Sequence, residues 1–396
     1  FPAFLSEVSA DDPAIFWFRD DLRLRHNEAL AAAAARGPVI AVFVAEGPAV
    51  TGVRPLGGAA RWWLHHSLER LTGSLAARDV PLIILPGDPR QLIPELARRV
   101  GASYVSWSRR YHRPQRDIDA EVKETLRSAG VEAHSFPGHL LAEPWTIATG
   151  QGGPYKVYTP FSRALRSAVE EELGPQRPHL GEIPDELRGP GAHPVESGSG
   201  LAELALLPSH PSRREPDWAA GLRSAWTPGE DGAWQRLGTF LGALEGGVGK
   251  QGYAEGRDFP GLDVTSRLSP YLRFGEISPH AVWSAAAARE ADGRDVTVFQ
   301  NELMWRDFAW HRLYHRPDLA TANVRPEFDR FPWAWEPGQS LAGGPEGLAD
   351  WRGGTTGIPL VDAGMRELRA TGHMHNRVRM VVGSLLTKNL GIGESH

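Results

Sequence analysis

With 396 residues the chain is longer than one hydrophobic core organises, so two domains and a joining segment are expected. Its hydrophobic share of 41% is that of an ordinary folded chain, and with no cysteine it excludes disulfides, thiolate catalysis and cysteine-ligated zinc or iron–sulfur clusters. The formal charge of −5 excludes a basic surface spread over the whole molecule, so a DNA partner has to be sought in a local patch.

The first residues, FPAFLSEVSADDP, lack the basic start and apolar stretch of a secretory signal. No run reaches the roughly 18 apolar residues of a membrane span, and a cytoplasmic protein with no membrane contact is expected. Short apolar runs then alternate with helical patterns. Strands are predicted over 15–18, 39–44, 82–85, 104–106 and 132–135, and helices over 27–35, 59–76, 89–100 and 115–128. A repeated β-α unit implies a five-stranded, doubly wound parallel sheet, here over 1–136, with a ligand crevice beyond the carboxyl ends of its strands. Neither a G-x-G-x-x-G nor a P-loop follows the first strand, so a standard dinucleotide or nucleotide reading finds no support there.

Over 137–225 the pattern dissolves into Pro, Gly, Ser and charge, which reads as an inter-domain linker holding a helix at 161–172. From 226 to 396 the periodic segments are helical, giving an all-α second domain. Ser278 and Pro279 form an N-cap and first-turn pair for a helix running to 290, Pro317 closes a helix that begins near 296, and Gly372 ends another.

Three segments of this second half carry candidate chemistry. Tyr253 and Arg257 precede the run Thr265, Ser266, Arg267, Leu268, Ser269, where hydroxyls and a guanidinium stand before a helix with Ser269 as N-cap. Such a helix start suits a pyrophosphate, and it reads equally as simple capping. Glu302, Trp305 and Arg306 share one helix face, which could receive a flipped-out base or hold an intrahelical ion pair beside a core tryptophan. Asn376, Arg379 and Met380 share the start of a later helix. Around it Arg366, Arg369, Arg377, Arg379 and Lys388 oppose only Asp362 and Glu367, a positive patch that the net charge conceals. His373 and His375 are not spaced for one helix face, so no metal site is expected. The 14 tryptophans are accounted for by core packing, or by base stacking and electron transfer.

Taken together these segments resemble the photolyase/cryptochrome family, and within it the microbial class I enzymes that split cyclobutane pyrimidine dimers, which are carbon–carbon lyases. WFRDDLR (17–23), NEAL (27–30), GGAARWWLHHS (57–67) and YKVYTPF (155–161) resemble the same family, so the likeness runs over nearly the whole chain. It implies an N-terminal α/β antenna domain and a helical domain that holds FAD. Tyr253, Thr265, Ser266, Arg267, Leu268, Ser269, Phe299 and Arg379 match positions around the cofactor, Phe299 standing where relatives often carry tryptophan. Arg257, Glu302, Trp305, Arg306, Asn376, Arg377 and Met380 match positions facing the DNA lesion. The implied activity is light-driven electron transfer from reduced FAD to a dimer flipped out of damaged DNA. In that scheme Glu302 hydrogen-bonds the carbonyl side of the dimer, Trp305 stacks, Asn376 and Met380 line the lesion, and the arginines hold phosphates. Trp333 or Trp335 is the candidate surface relay of electron transfer. WSRRY (107–111) falls where an antenna pigment, a deazaflavin or a methenyltetrahydrofolate, would be lined.

The resemblance also implies that relatives continue beyond His396, with an Asp-x-Asp, an Asn and two tryptophans around the flavin, and that His373 takes the place of a tryptophan. A monomer is the family expectation. The competing readings are a blue-light sensor of the cryptochrome type without repair, and an inactive fragment that folds without holding FAD. Glu302, Trp305, Asn376 and Met380 favour repair.

Overall fold

The structure, a computed structural model, describes residues 12–173, 182–191, 200–207, 218–246, 252–289, 293–334 and 347–392. Five apolar runs form the strands β1 (Ala14–Phe18), β2 (Val39–Ala45), β3 (Leu82–Pro86), β4 (Tyr104–Ser108) and β5 (Glu132–Phe136). They pair in parallel in the order β3-β2-β1-β4-β5. Between them run α1 (Glu28–Ala34), α2 (Pro48–Thr51), α3 (Gly58–Ala76), α4 (Pro89–Val100) and α5 (Arg113–Ser128). On one face Ile15, Trp17, Val42, Ile83 and Val105 pack with Ile93 and Leu96 of α4 and Val122 of α5. On the other, Ser106 of β4 donates its hydroxyl to Ala29 O of α1 at 2.7 Å. Covered on both sides, β1 has no need of polar alternation, which is why AIFWF reads as one continuous apolar run. The side chains of Asn27 and Asp88 accept from Leu30 N and Arg90 N and so cap α1 and α4. The doubly wound sheet expected from the sequence is therefore present.

The remaining helices are α6 (Tyr158–Leu173), α7 (Ala220–Ala225), α8 (Glu230–Gly246), α9 (Tyr253–Gly256), α10 (Ser269–Phe274), α11 (Pro279–Ala287), α12 (Gly293–His315), α13 (Leu348–Gly353), α14 (Pro359–Thr371) and α15 (Asn376–Ser384). Ser278 caps α11 by accepting from Ala281 N at 3.0 Å, as its sequence implied, although the helix stops at Ala287 rather than 290. Helix α12 ends at His315, ahead of Pro317. Helix α10 begins one residue earlier than expected, with Leu268 at the cap position, Ser269 already inside, and no side-chain cap bond.

By compactness the chain divides into two units: Phe1–Arg213 with Thr227–Gly247 and Ser266–Pro317, and Arg214–Trp226 with Val248–Thr265 and Asp318–His396. This differs from the division expected at 136 and 225. Within 137–225 the helix expected at 161–172 is present as α6, and it packs into the unit: Phe161, Leu165 and Val169, four apart on one helix face, are buried, and Phe161 packs on Phe308 of α12 at 5.1 Å. The polar residues flanking α6 masked this apolar stripe. In the second unit Val361 and Met365 of α14 pack with Val378 and Val382 of α15, with Met374 between. Gly372, at φ 70°, ends α14 by donating to Leu368 O.

In the first unit Glu276 follows α10 and is fully buried. Its carboxylate accepts from the Ser67 hydroxyl, from Trp63 Nε1 at 3.0 Å and from Gly229 N at 2.6 Å. Burial outweighs these donors and pushes its pKa from 4.5 up to about 7. The folded chain thus keeps a proton between these values that the unfolded chain releases. The associated stability is complete below pH 4.5 and is lost as pH rises through about 7, at most roughly 3 kcal/mol in all. Glu276→Gln should abolish that slope: between pH 5 and pH 8 the unfolding midpoint of the parent chain should fall more than the variant's. Parallel pH profiles would exclude Glu276 as the titrating group.

Candidate functional site

The expected site residues are shared between the two units, and each half has its own geometry. In the first unit α12 carries Phe299, Glu302, Trp305 and Arg306. Phe299 is buried with its ring 4.5 Å from that of Phe240. Trp305 is 47% exposed although one face is covered: the Tyr158 ring lies parallel to it, at 3.6 Å between centroids and 4° between planes. Phe308 abuts its edge at 5.9 Å and 75°. The Tyr158 hydroxyl donates to Asn301 O at 3.0 Å. Burial, and then the charge of the neighbouring Glu302, push the Tyr158 pKa up to about 12. Glu302, Trp305 and Tyr158 thus form one cluster on α12 and α6. Tyr158 had no local signal in the sequence beyond its place in YKVYTPF.

Arg306, expected to face the lesion, makes its hydrogen bonds on the inner side of α12. Its guanidinium donates to His139 O at 2.7 Å and to His139 Nε2 at 2.9 Å, inside the unit. Burial and the Arg306 charge hold the His139 pKa well below its usual value, so the imidazole stays neutral and Nε2 acts as acceptor. Asp307 accepts from Leu141 N at 2.6 Å, fastening the same segment to α12. Arg306 is a structural tie between α12 and the chain that leaves the sheet.

The run expected to hold a diphosphate has the donor chemistry for it. Ser266 O accepts from Arg236 Nε at 2.8 Å, Arg267 takes a left-handed φ of 52°, and Leu268 leads into α10. The hydroxyls of Ser266 and Ser269, two arginines, and first-turn N–H groups that no side chain caps make a set suited to an anionic cofactor group. In the second unit Tyr253 is buried, and the Arg257 guanidinium lies 5.7 Å from its ring centre. Thr265 belongs to this unit, as does Arg379, which donates to Met374 O at 3.2 Å.

The start of α15 displays the expected lesion residues. Asn376, Arg377 and Met380 are exposed, Met380 at 61%. Arg377 pairs with Asp258 through Nε at 2.7 Å and a second nitrogen at 2.6 Å, and its third lies 4.0 Å from Met380 Sδ. The cations of the patch, Arg366, Arg369, Arg377, Arg379 and Lys388, are all exposed. Its two acids are engaged locally. Asp362 accepts from Thr356 N at 2.8 Å and Gly357 N at 3.0 Å, and Glu367 pairs with His373 Nδ1 at 3.2 Å. His375 caps α15 by accepting from Arg377 N, a role that its spacing did not suggest. Trp333 lies 4.5 Å from the Phe331 ring in this unit, and Trp335 lies outside the described residues.

At the sheet's switch point between β1 and β4 the segment 107–111 turns inward. Trp107 and Tyr111 are buried, the Tyr111 hydroxyl donates to Glu143 at 3.2 Å, and Arg110 grips Glu46 at 2.7 and 2.8 Å. Arg19 binds Asp119 and Ser108 O beside them. Trp107 Nε1, Arg110 Nε and Arg19 Nε, by contrast, are buried without a hydrogen-bond partner.

Comparison with known proteins agrees with both halves. A family model for DNA photolyase matches residues 14–179, and one for the FAD binding domain of DNA photolyase matches residues 299–394. A deoxyribodipyrimidine photo-lyase of Agrobacterium fabrum is 43% identical over 96% of this chain and 73% of its own length. The crystal structure of a bacterial class III photolyase from Agrobacterium tumefaciens superposes with a TM-score of 0.84 at 41% identity, over 98% of this chain and 75% of that one. A Synechocystis cryptochrome follows with a TM-score of 0.75 at 26% identity, over 97% and 77%. On sheet, helical region and sequence alike, the chain belongs to the photolyase/cryptochrome family, with the FAD-binding domain of DNA photolyase as its C-terminal part.

Proposed function

We propose that this protein repairs cyclobutane pyrimidine dimers in DNA under light. The observation that carries the reading is the half-exposed Trp305 indole on the same helix as Glu302, an aromatic plate beside a carboxyl group. The name of the Agrobacterium relative supports the activity, and the likeness to a class III photolyase favours class III over the class I expected from the sequence.

FAD, when bound and reduced, supplies the light-driven electron. The residues that would hold it are, in the first unit, Ser266, Arg267, Ser269 and Phe299, and, by the family resemblance, Thr265 and Tyr253 of the second unit. Trp305 offers a ring face to a pyrimidine taken out of the base stack. Glu302 is the residue that would hydrogen-bond the carbonyl side of the dimer and steady the negative charge that arrives there. In the second unit Asn376 and Met380 are exposed at the start of α15, and the family resemblance assigns them to the lesion. Arg377, exchanging Asp258 for phosphate, joins the exposed cations in positioning the backbone without reading sequence.

The test is the visible spectrum of the purified chain, followed by loss of thymine dimers from an oligonucleotide under reducing conditions, in light and in the dark. Flavin absorption with light-dependent repair is the expected result. Flavin without repair would shift the reading to a cryptochrome-type sensor, and a chain without flavin would overturn the assignment of its cofactor residues.

A further inference from the structure

We infer that Tyr158 is a positioning residue of the lesion platform, holding the Trp305 indole in the plane on which an extruded pyrimidine stacks. The inference rests on the proposed repair function and deepens it. The two rings are almost parallel and in van der Waals contact, at 3.6 Å and 4°. Tyr158 is fixed at both ends. Its backbone opens α6, which is locked to α12 through Phe161 and Phe308, and its hydroxyl reaches Asn301 O on α12 itself. Phe308 blocks the edge of the indole.

With one face covered by Tyr158 and Phe308 beside it, the indole is still 47% exposed. A solitary surface tryptophan would sample several rotamers and would have to give them up when a base arrived. A buttressed one is already in place, and preorganisation of this kind strengthens binding without adding a contact to the ligand. The ligand class is a flat base unstacked from its duplex, recognised by its face rather than its edge.

The experiment uses the FAD-loaded chain in the dark and measures affinity for an oligonucleotide carrying one thymine dimer and for the same oligonucleotide undamaged. Tyr158→Leu should lower the ratio of the two affinities about tenfold, the scale of one stacking contact. Tyr158→Phe keeps the ring and loses only the hydroxyl bond, so its ratio should stay within about twofold of the parent. General damage to the fold would weaken both affinities and leave the ratio unchanged, so an unchanged ratio in Tyr158→Leu overturns the inference. Trp305→Ala separates the two levels. If it lowers the ratio while Tyr158→Leu does not, the platform stands and Tyr158 has no part in it; if it leaves the ratio unchanged, the platform reading itself fails.

Discussion

Glu302→Ala should cut the yield of light-driven dimer splitting roughly tenfold, and Glu302→Gln should retain most of it. The carboxyl group sits on α12 one turn before Trp305 and shares its helix face, which is the placement that the expected contact with a stacked base requires. In a thermal reaction, removing one donor to a developing negative charge costs on the order of 100- to 1000-fold in rate. A photochemical yield is a branching ratio between splitting and return of charge, so the same loss of stabilisation shows as a smaller drop. Glutamine keeps an N–H donor of similar reach, whereas alanine leaves nothing. The measurement is dimers split per photon absorbed with the oligonucleotide saturating, so that weaker binding does not enter. An unchanged yield in Glu302→Ala would remove the carboxyl group from the chemistry.

The sheet was legible from sequence because its signals are local. The runs around Ile15, Val42 and Ile83 are apolar without interruption, and each predicted strand lies within two residues of the observed one. Helical periodicity also placed Glu302, Trp305 and Arg306 on a shared face. It could not tell which of them the rest of the chain would take. Arg306 is claimed by His139, 167 positions away, and Arg377 by Asp258, 119 positions away. Tyr158 reaches Trp305 from a different helix in a segment that reads as linker. His375 caps α15 although histidine is not among the favoured cap residues, because its Nδ1 happens to face Arg377 N. Charge and face are local properties, and availability for a ligand is a tertiary one.

The second large effect concerns how the chain leaving β1 is held. Gly275→Ala should destabilise the first unit by about 2 to 5 kcal/mol, and Gly101→Ala by only about 1 to 2 kcal/mol. Both glycines end a helix in nearly the same left-handed conformation, φ 66° and ψ 26° at Gly275, φ 66° and ψ 28° at Gly101. The conformational cost of a side chain is therefore shared. The surroundings differ: a Cβ at Gly101 meets nothing within 4 Å, while at Gly275 it would lie 2.0 Å from Asp20 O and 2.5 Å from Asp21 Cα. Asp20 cannot withdraw cheaply. Arg273 binds its carboxylate at 2.7 Å, Leu22 N donates to Phe274 O at 3.1 Å, and the buried Arg23 donates to Gly275 O at 2.9 Å. Displacing the backbone at residue 20 strains all three. At about 2–4 °C per kcal/mol for a domain of this size, Gly275→Ala should lower the unfolding midpoint about twice as far as Gly101→Ala. Equal shifts would mean that the segment from Asp20 to Arg23 yields freely, and the close approach at Gly275 would then contribute nothing to fastening the sheet to α10.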